Sequence, residues 1–134
     1  MEPTTVGTFE ELVELEPVES TPDRVVLRCP ITPRLHQPYG IVHGGVYCSI
    51  VQIAATTAAT AWLGATDVVC VNNSTNFIRA TREGTLTATA TPLQRGRRQQ
   101  LWQVAIVDDT DRLVAHGQVR LVNIRDDRLD APPS

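Results

Sequence analysis

The chain has 134 residues, 42% of them hydrophobic, so its length suits one domain and its composition argues against disorder. A formal net charge of -3 excludes a general nucleic-acid binder. All 12 basic residues are arginine, and the absence of lysine excludes Schiff-base lysine chemistry and a P-loop.

The start of the chain and its cysteines both bear on the cellular compartment. Residues 1–11 are acidic and lack an apolar core, so they do not predict a signal peptide. The chain has three cysteines, an odd number, at Cys29, Cys48 and Cys70. Their spacing matches no zinc or redox motif. We therefore expect reduced, mostly buried thiols in a cytoplasmic protein.

Short apolar-polar stretches precede the main helical segment. Residues 11–19 and 24–31 are separated by the turn residues Ser-Thr-Pro-Asp at 20–23. This pattern predicts either two strands or a short helix and a strand. A proline-rich loop follows and ends at Tyr39-Gly40.

The longest segment without a helix breaker covers residues 46–63, and its apolar residues follow helical spacing. They cover almost the whole circumference, which predicts a central helix about 28 Å long. Residues 44–66 carry no formal charge and are long enough to span a bilayer. Because they include two glycines and several threonines and lack a basic flank, we interpret them as a buried helix of a soluble protein.

After Gly64 the sequence becomes rich in valine, threonine, isoleucine and aromatic residues, which is typical of strands. Residues 86–91 alternate strictly between apolar residues and threonine, as expected for a strand with one solvent-exposed face. Four strands are predicted, at residues 68–80, 86–93, 99–108 and 113–124. Hairpin-type connections between successive antiparallel strands are predicted at residues 82–84, 94–96 and 108–111.

One long helix followed by four long strands predicts an α+β fold in which the helix lies on a curved antiparallel sheet. No linker divides the chain, so we expect one domain over residues 1–124. The charged segment 125–134 ends in Pro-Pro-Ser and is expected to be a frayed polar tail.

The entry to the helix carries the residues best suited to chemistry. Gly44 and Gly45 follow His43 where several backbone N–H groups lack helical partners. Glycine lets the backbone approach a ligand closely, and the positive end of the helix dipole suits a developing oxyanion. A plain helix-entry turn would use the same two glycines.

The segment Gln-Pro-Tyr-Gly-Ile-Val-His-Gly-Gly-Val at residues 37–46 resembles the signature loop of the hot-dog acyl-CoA thioesterases. It is most similar to the branch that contains the phenylacetate-pathway, 4-hydroxybenzoyl-CoA and menaquinone-pathway enzymes. The resemblance extends to residues 76–84 and 92–102 and covers about residues 20–124. It implies the hot-dog fold, with a long central helix wrapped by a curved antiparallel sheet.

This resemblance implies a role for each residue of the helix-entry loop. The thioester carbonyl would point at the N–H of Gly44, and Gly45 would allow the substrate to approach the backbone. Gln37 would orient substrate or water, and His43 would lie beside the carbonyl or shape the loop. Thr56 matches a position where a hydroxyl contacts the reacting group, although an ordinary core-facing threonine is the alternative.

The chain departs from the family at residue 52. The family keeps a catalytic Glu or Asp nine residues after the histidine, and this chain has Gln52. A neutral amide is a poor base and nucleophile but can orient a water, and loss of a general base typically costs about 10²–10⁴-fold. We expect Gln52 to face the same cavity as the Gly44 N–H. Asp67 and Glu83 belong to the predicted sheet region, so neither is an obvious substitute acid.

The arginines have a role if coenzyme A is part of the substrate. Arg79 and the turn Gly96-Arg97-Arg98 match the family's phosphate-contacting positions, and arginine binds phosphate through a fork of donors. A solvated charged loop is the alternative. Trp102 and Phe77 are expected to pack the sheet. We expect no metal and no cofactor other than the coenzyme A of the substrate.

Three hypotheses for function remain. The chain is an enzyme that hydrolyses an acyl-CoA or aryl-CoA thioester, weakly or with another base; a protein that binds acyl-CoA without cleaving it; or a structural partner of an active paralogue. The intact glycine loop favours the enzyme. The resemblance also implies a homo-oligomer, a tetramer built from dimers that join edge to edge and place the site between subunits. The alanine-rich helix face at Ala54, Ala55 and Ala58 is expected to admit a bulky acyl group.

Overall fold

The computed structural model describes residues 7–64 and 67–124, which form one α-helix and one six-stranded antiparallel sheet. The predicted tail at 125–134 lies outside the described residues. Short 3-10 turns cover Phe9–Leu12 and Pro33–Leu35, and the helix α1 covers Gly44–Leu63. The strands are β1 (Glu16–Thr21), β2 (Arg24–Pro30), β3 (Val68–Phe77), β4 (Thr85–Arg95), β5 (Gln99–Val107) and β6 (Leu113–Asn123), in the sheet order β1-β2-β4-β5-β6-β3.

The first two elements are both strands, which settles the alternative left open by the sequence. β1 pairs antiparallel with β2 across the turn at Pro22 and Asp23. The hydroxyl of Thr21 accepts hydrogen bonds from the backbone N–H groups of Asp23 (3.3 Å) and Arg24 (3.0 Å). The side chain thus supplies the partner that a turn backbone lacks.

The helix α1 lies at the centre of the fold and contacts all six strands. It ends at Gly64, whose φ of 77° lets the backbone turn and whose N–H donates to the carbonyl of Thr60 (2.9 Å). By length and composition alone α1 could cross a membrane, but it packs here as the expected core helix. Its buried side chains are those of Tyr47, Ile50, Val51, Ala54, Ala55, Ala58 and Ala59.

The alanine-rich face of α1 does not provide the expected room for an acyl group. Ala54, Ala55 and Ala58 are fully buried within the hydrophobic core. Small side chains on this face let the sheet approach the helix closely instead.

The strand pattern follows the alternation in the sequence. Leu86, Ala88 and Ala90 of β4 are buried, whereas the threonines between them are half-buried. The same alternation buries Trp102 and Ile106 of β5, so Trp102 packs the core as expected. The hydrophobic face of the sheet therefore lies against α1.

The connection after β3 is not the predicted hairpin. β3 pairs with β6 at the edge of the sheet, and β4 pairs with β2 and β5. The connection must therefore cross three strand spacings, about 14 Å, which residues 78–84 can span because seven extended residues reach about 24 Å. The other two predicted hairpins, β4 to β5 and β5 to β6, are present.

The edge strand β3 runs antiparallel to α1 and touches it along its length. At one end, the ring of Phe77 lies against Gly44. In the middle, the Asn73 side chain donates to the carbonyl of Cys48 (2.9 Å). The start of β3, at Val68 and Val69, borders a cavity on the helix surface. The two ends of β3 therefore lie beside different parts of the helix.

Candidate active site

His43 caps the start of α1. It has an extended backbone (φ -64°, ψ 137°), and its Nδ1 accepts a hydrogen bond from the N–H of Gly45 at 2.8 Å. An Nδ1 that accepts must be unprotonated, so the neutral ring carries its proton on Nε2. His43 is thus the N-cap of α1.

Gly44 leaves a free backbone donor at the positive end of the helix. Its N–H has no acceptor among the residues that the structure describes, whereas the N–H groups of Gly45 and Val46 are bonded to His43. A side chain at residue 44 would place its Cβ only 2.7 Å from Cε2 of Phe77. The close approach of this ring therefore requires glycine. The unpaired N–H has the chemistry of an oxyanion donor.

Gln37 organises the loop that leads to this donor. Its backbone exchanges hydrogen bonds with the loop, donating to the carbonyl of Ile41 (2.8 Å) and accepting from the N–H of Gly40 (2.9 Å). Its side-chain Oε1 accepts from the N–H of Tyr39. The side chain can still offer its NH₂ group as a donor, and the second lone pair of its oxygen as an acceptor, to a ligand.

A surface cavity of about 340 Å³ opens beside the middle of α1. Gln52 and Thr56 project into it one helical turn apart, and Thr56 is therefore not an ordinary core residue. The amide of Gln52 has no hydrogen-bond partner among the described residues and remains available to a water or ligand. The rest of the wall consists of Phe9, Glu10, Ser49, Ile53, Val68, Val69 and Cys70.

Within one chain, Gly44 and Gln52 do not face the same cavity, contrary to expectation. Gly44 is not part of the wall beside Gln52. Eight residues of helix separate them by about 12 Å along the axis. A thioester carbonyl cannot contact both groups over that distance. Within one chain, the Gly44 donor and the Gln52 cavity are therefore at separate places along the helix.

The expected phosphate-binding arginines also lie at two places. Arg79 follows the end of β3, where its backbone N–H donates to the carbonyl of Val114 (3.2 Å). Arg97 and Arg98 are exposed in the turn between β4 and β5. The ten residues of β3 separate these two ends by about 30 Å.

Arg82 and Arg95, which are close in sequence to the expected phosphate-binding arginines, have structural partners. The guanidinium of Arg95 lies 5.5 Å from the Trp62 ring centroid and 5.9 Å from that of Trp102, and it forms a 2.7 Å ion pair with Asp23. Arg82 donates to the carbonyl of Tyr39 at 3.3 Å and so ties the helix-entry loop to the crossover. The exposed side chains of Arg97 and Arg98 are the better candidates for a phosphate.

A buried hydrogen-bond chain fixes the turn that carries those arginines. Asn123 donates from Nδ2 to the carbonyls of Gly96 (2.9 Å) and Arg97 (3.0 Å). Gln100 in turn donates to Asn123 Oδ1 (2.8 Å) and accepts from the indole N–H of Trp102 (2.8 Å). The sequence analysis missed this chain. A glutamine in the buried register of β5 is the signal that could have revealed it.

The cysteines are free thiols in different surroundings. Cys29 is buried, and desolvation, with a smaller effect of the Glu14 charge, raises its pKa to about 11. Cys48 and Cys70 are only half-buried, so the expectation of mostly buried thiols holds for Cys29. Burial also raises the pKa of Cys70, which lies in the wall of the Gln52 cavity. In the described residues, no group of three His, Cys, Asp or Glu side chains could hold a metal ion.

A family model described as the thioesterase superfamily matches residues 39–115, which include the helix-entry loop, α1 and most of the sheet. The chain belongs to the thioesterase superfamily. This membership and the observed helix and sheet confirm the hot-dog fold and the thioester-hydrolase class expected from the sequence.

Three members of the superfamily illustrate the similarity. Rv1847 of Mycobacterium tuberculosis, named as a candidate esterase, is 48% identical over 120 residues, 87% of this chain and 86% of that protein. Its solved structure has a TM-score of 0.83 and covers 92% of this chain and 97% of its own. The proofreading thioesterase EntH of Cronobacter turicensis is 30% identical over 81% of this chain and 80% of its own. The 1,4-dihydroxy-2-naphthoyl-CoA hydrolase of Listeria monocytogenes is 28% identical over 79% of this chain and 87% of its own.

Proposed function

We propose that this protein hydrolyses an acyl-CoA or aryl-CoA thioester to the free acid and coenzyme A. The observation that carries the proposal is the unpaired N–H of Gly44, held at the helix start by the His43 cap and the Phe77 ring. Such a donor can stabilise the oxyanion that forms when a thioester carbonyl is attacked. The hydrolase from Listeria monocytogenes, by its name, acts on an aryl-CoA thioester, which supports this substrate class.

The site is completed by a second copy of the chain. Gly44 and Arg79 lie near the end of β3, whereas Gln52 and the Arg97-Arg98 turn lie near its start. If two copies of this edge strand pair antiparallel about its middle, Phe77 of one copy lies opposite Val68 of the other. The Gly44 donor of one copy then reaches the Gln52 cavity of the other.

The same pairing serves coenzyme A. Arg79 of one copy comes to the end of the sheet where Arg97 and Arg98 of the other copy are located, so three guanidinium groups can share the phosphates. An edge strand with unpaired backbone groups is also the natural place for such pairing. By the family resemblance, two such dimers associate into a tetramer.

Gln52 sets the expected rate. Its amide can hold a water beside the thioester carbon but cannot take the proton of that water. Oxyanion stabilisation by Gly44 remains, so the protein hydrolyses thioesters slowly. A carboxylate at residue 52 would supply the missing base without a large change in side-chain volume.

The test compares the wild type with Gln52→Glu across a panel of acyl-CoA and aryl-CoA thioesters. We expect the substitution to raise kcat/KM at least tenfold on the preferred substrate, within the range of general-base catalysis. Gln118→Glu, at an exposed position of β6, makes the same charge change away from the site and should leave the rate unchanged. Equal rates for the wild type and both variants would refute the role assigned to residue 52.

A second function, binding of acyl-CoA without cleavage, is favoured by the same glutamine, because a neutral amide can hold a substrate that it does not hydrolyse. This alternative requires that neither the wild type nor Gln52→Glu hydrolyses any member of the panel, while calorimetry detects binding. If neither hydrolysis nor binding is found, the third hypothesis, a structural partner of an active paralogue, applies.

A further inference from the structure

The cavity beside Gln52 is bordered by an acidic residue of the N-terminal segment. Glu10 lies in the first 3-10 turn, Phe9–Leu12, and borders the same cavity as Gln52 and Thr56. Among the described residues that line this cavity, Glu10 is the one acid. Its position brings a group that can accept a proton to the place where the family carboxylate is missing.

The carboxylate of Glu10 is free to act. Among the described residues it accepts no hydrogen bond and forms no ion pair. The neighbouring Glu11 differs, because its Oε2 accepts the backbone N–H of Gly7 at 2.7 Å. Glu10 and Glu11 both border a second cavity, but only Glu10 also belongs to the described wall beside Gln52.

The turn that carries Glu10 is anchored to the core. The carbonyl of Glu10 accepts the N–H of Val13 at 3.1 Å, and Val13 is itself buried in the hydrophobic core. The N–H of Glu11 donates to the carbonyl of Thr8 at 3.2 Å. The backbone at Glu10 is therefore held beside α1, and the side chain has only its own rotamers to adjust.

We propose that Glu10 is the general base of this protein, and that it is less effective than a carboxylate at residue 52 would be because it reaches the cavity from a separate turn. The proposal rests on the thioester hydrolysis proposed above and assigns its proton acceptor. Gln52 then has a separate task, because its amide orients the attacking water by hydrogen bonding. The exposed ring of Phe9 and the side chain of Val69 provide an apolar wall for the acyl group beside it.

The water oxygen forms a bond to the carbonyl carbon while Glu10 takes one of its protons, and the C=O electron pair moves onto the carbonyl oxygen. The Gly44 N–H of the second copy stabilises that oxyanion. The pair then returns, the C–S bond breaks, and the departing thiolate receives the proton from Glu10. The products are the free acid and the thiol of coenzyme A.

The location of Glu10 explains why the sequence did not reveal it. It precedes Gln52 by 42 residues and belongs to an acidic N-terminal segment with no motif. Only the packing of the 3-10 turn against the side of α1 brings the two residues to one cavity.

The test is a cycle of substitutions measured with the preferred thioester. Glu10→Gln should lower kcat at least tenfold in the wild type, with KM changed less than threefold. Glu11→Gln is the matched control and should stay within twofold of the wild type. In the Gln52→Glu background, where residue 52 supplies the base, Glu10→Gln should change kcat by less than about threefold.

Each other outcome decides against the proposal. Equal effects of Glu10→Gln and Glu11→Gln, or the same tenfold loss in both backgrounds, would show that Glu10 does not act as the base. A wild type without activity beside an active Gln52→Glu would also exclude Glu10 while leaving the proposed reaction intact. If neither protein hydrolyses any thioester, the proposed function fails together with the role of Glu10.

Discussion

At the scale of single residues, Gly44 is constrained both by packing and by chemistry. The Phe77 ring occupies the space of a side chain at residue 44, and the ring also packs at 6.0 Å from that of Tyr47. Phe77 remains 57% exposed, so it can move if residue 44 changes. The ring and the glycine together fix where the oxyanion donor points.

A substitution pair tests this relation. In Gly44→Ala, the added methyl group should displace the ring and the loop and lower kcat/KM at least tenfold, because a misplaced oxyanion donor loses much of its effect. Phe77→Ala alone should cost about threefold, less than Gly44→Ala, because the donor loses the ring but keeps the His43 cap. The double variant removes the steric conflict and should recover at least part of the loss. Absence of any recovery in steady-state kinetics would show that Phe77 does not set the donor position.

At the residue scale, features that depend on local spacing can be derived from the sequence. The His43 cap and the placement of Gln52 and Thr56 on one helix face follow from spacing along α1. Glu10 could not be predicted, because its nearness to Gln52 depends on how the N-terminal turn packs. The separation of Gly44 from Gln52 was overlooked, although the rise of a helix already implies it.

At the scale of elements, the turn between β4 and β5 is unusually well supported for an exposed turn. The side chain of Asn123 holds its carbonyls, and the N–H of Asn123 also donates to the carbonyl of Arg98 at 2.9 Å. Gln100 connects Asn123 to the carbonyl of Ala59 on α1 (3.4 Å). The backbone that bears Arg97 and Arg98 is therefore held in place by hydrogen bonds to buried side chains.

Calorimetry can show whether this turn binds coenzyme A. Arg97→Ala plus Arg98→Ala should weaken binding at least tenfold and reduce the salt dependence of the affinity, because exposed charge contacts are screened by salt. The control Arg24→Ala plus Arg28→Ala removes the same charge from β2 and should change affinity less than twofold. Equal affinities for the wild type and the Arg97-Arg98 variant would identify the turn as a solvated charged loop.

The elements themselves were largely predictable, and their pairing was less so. The helix and the four later strands were predicted within a few residues because burial imposes a clear period on the sequence. The crossover between β3 and β4 was predicted as a hairpin because Arg82-Glu83-Gly84 has ordinary turn chemistry. Strand pairing depends on contacts far apart in sequence, which local turn residues do not encode.

At the scale of the whole molecule, β3 and β1 are the two edges of the sheet. Both carry an exposed valine at an irregular point of the pairing: Val71 on β3 is 48% exposed, and Val18 on β1 is 51% exposed. β3 alone lies between the two separated parts of the candidate site. These matched positions allow the proposed pairing edge to be distinguished from the other edge.

Light scattering at micromolar concentration should give a dimer or tetramer for the wild type. Val71→Lys should shift the protein toward monomers and lower hydrolysis in parallel, because it introduces a charge at the edge that pairs. Val18→Lys, with similar exposure on β1, should change neither mass nor activity. A monodisperse wild-type monomer, or equal effects of the two lysines, would contradict pairing through β3.

The separation of Gly44 from Gln52 along the helix has a consequence for the evolution of duplicated genes. In the proposed dimer, each chain contributes its donor loop to one site and its helix face to the other. A change at residue 52 therefore affects the site that receives that helix face, while the donor loop of the same chain still serves its partner. In a mixed dimer with a related chain that carries a carboxylate at this position, the Gln52 chain would complete a fully equipped site. A duplicated gene can thus lose the carboxylate at residue 52 and still be retained, because its product supplies the Gly44 donor loop to a partner chain.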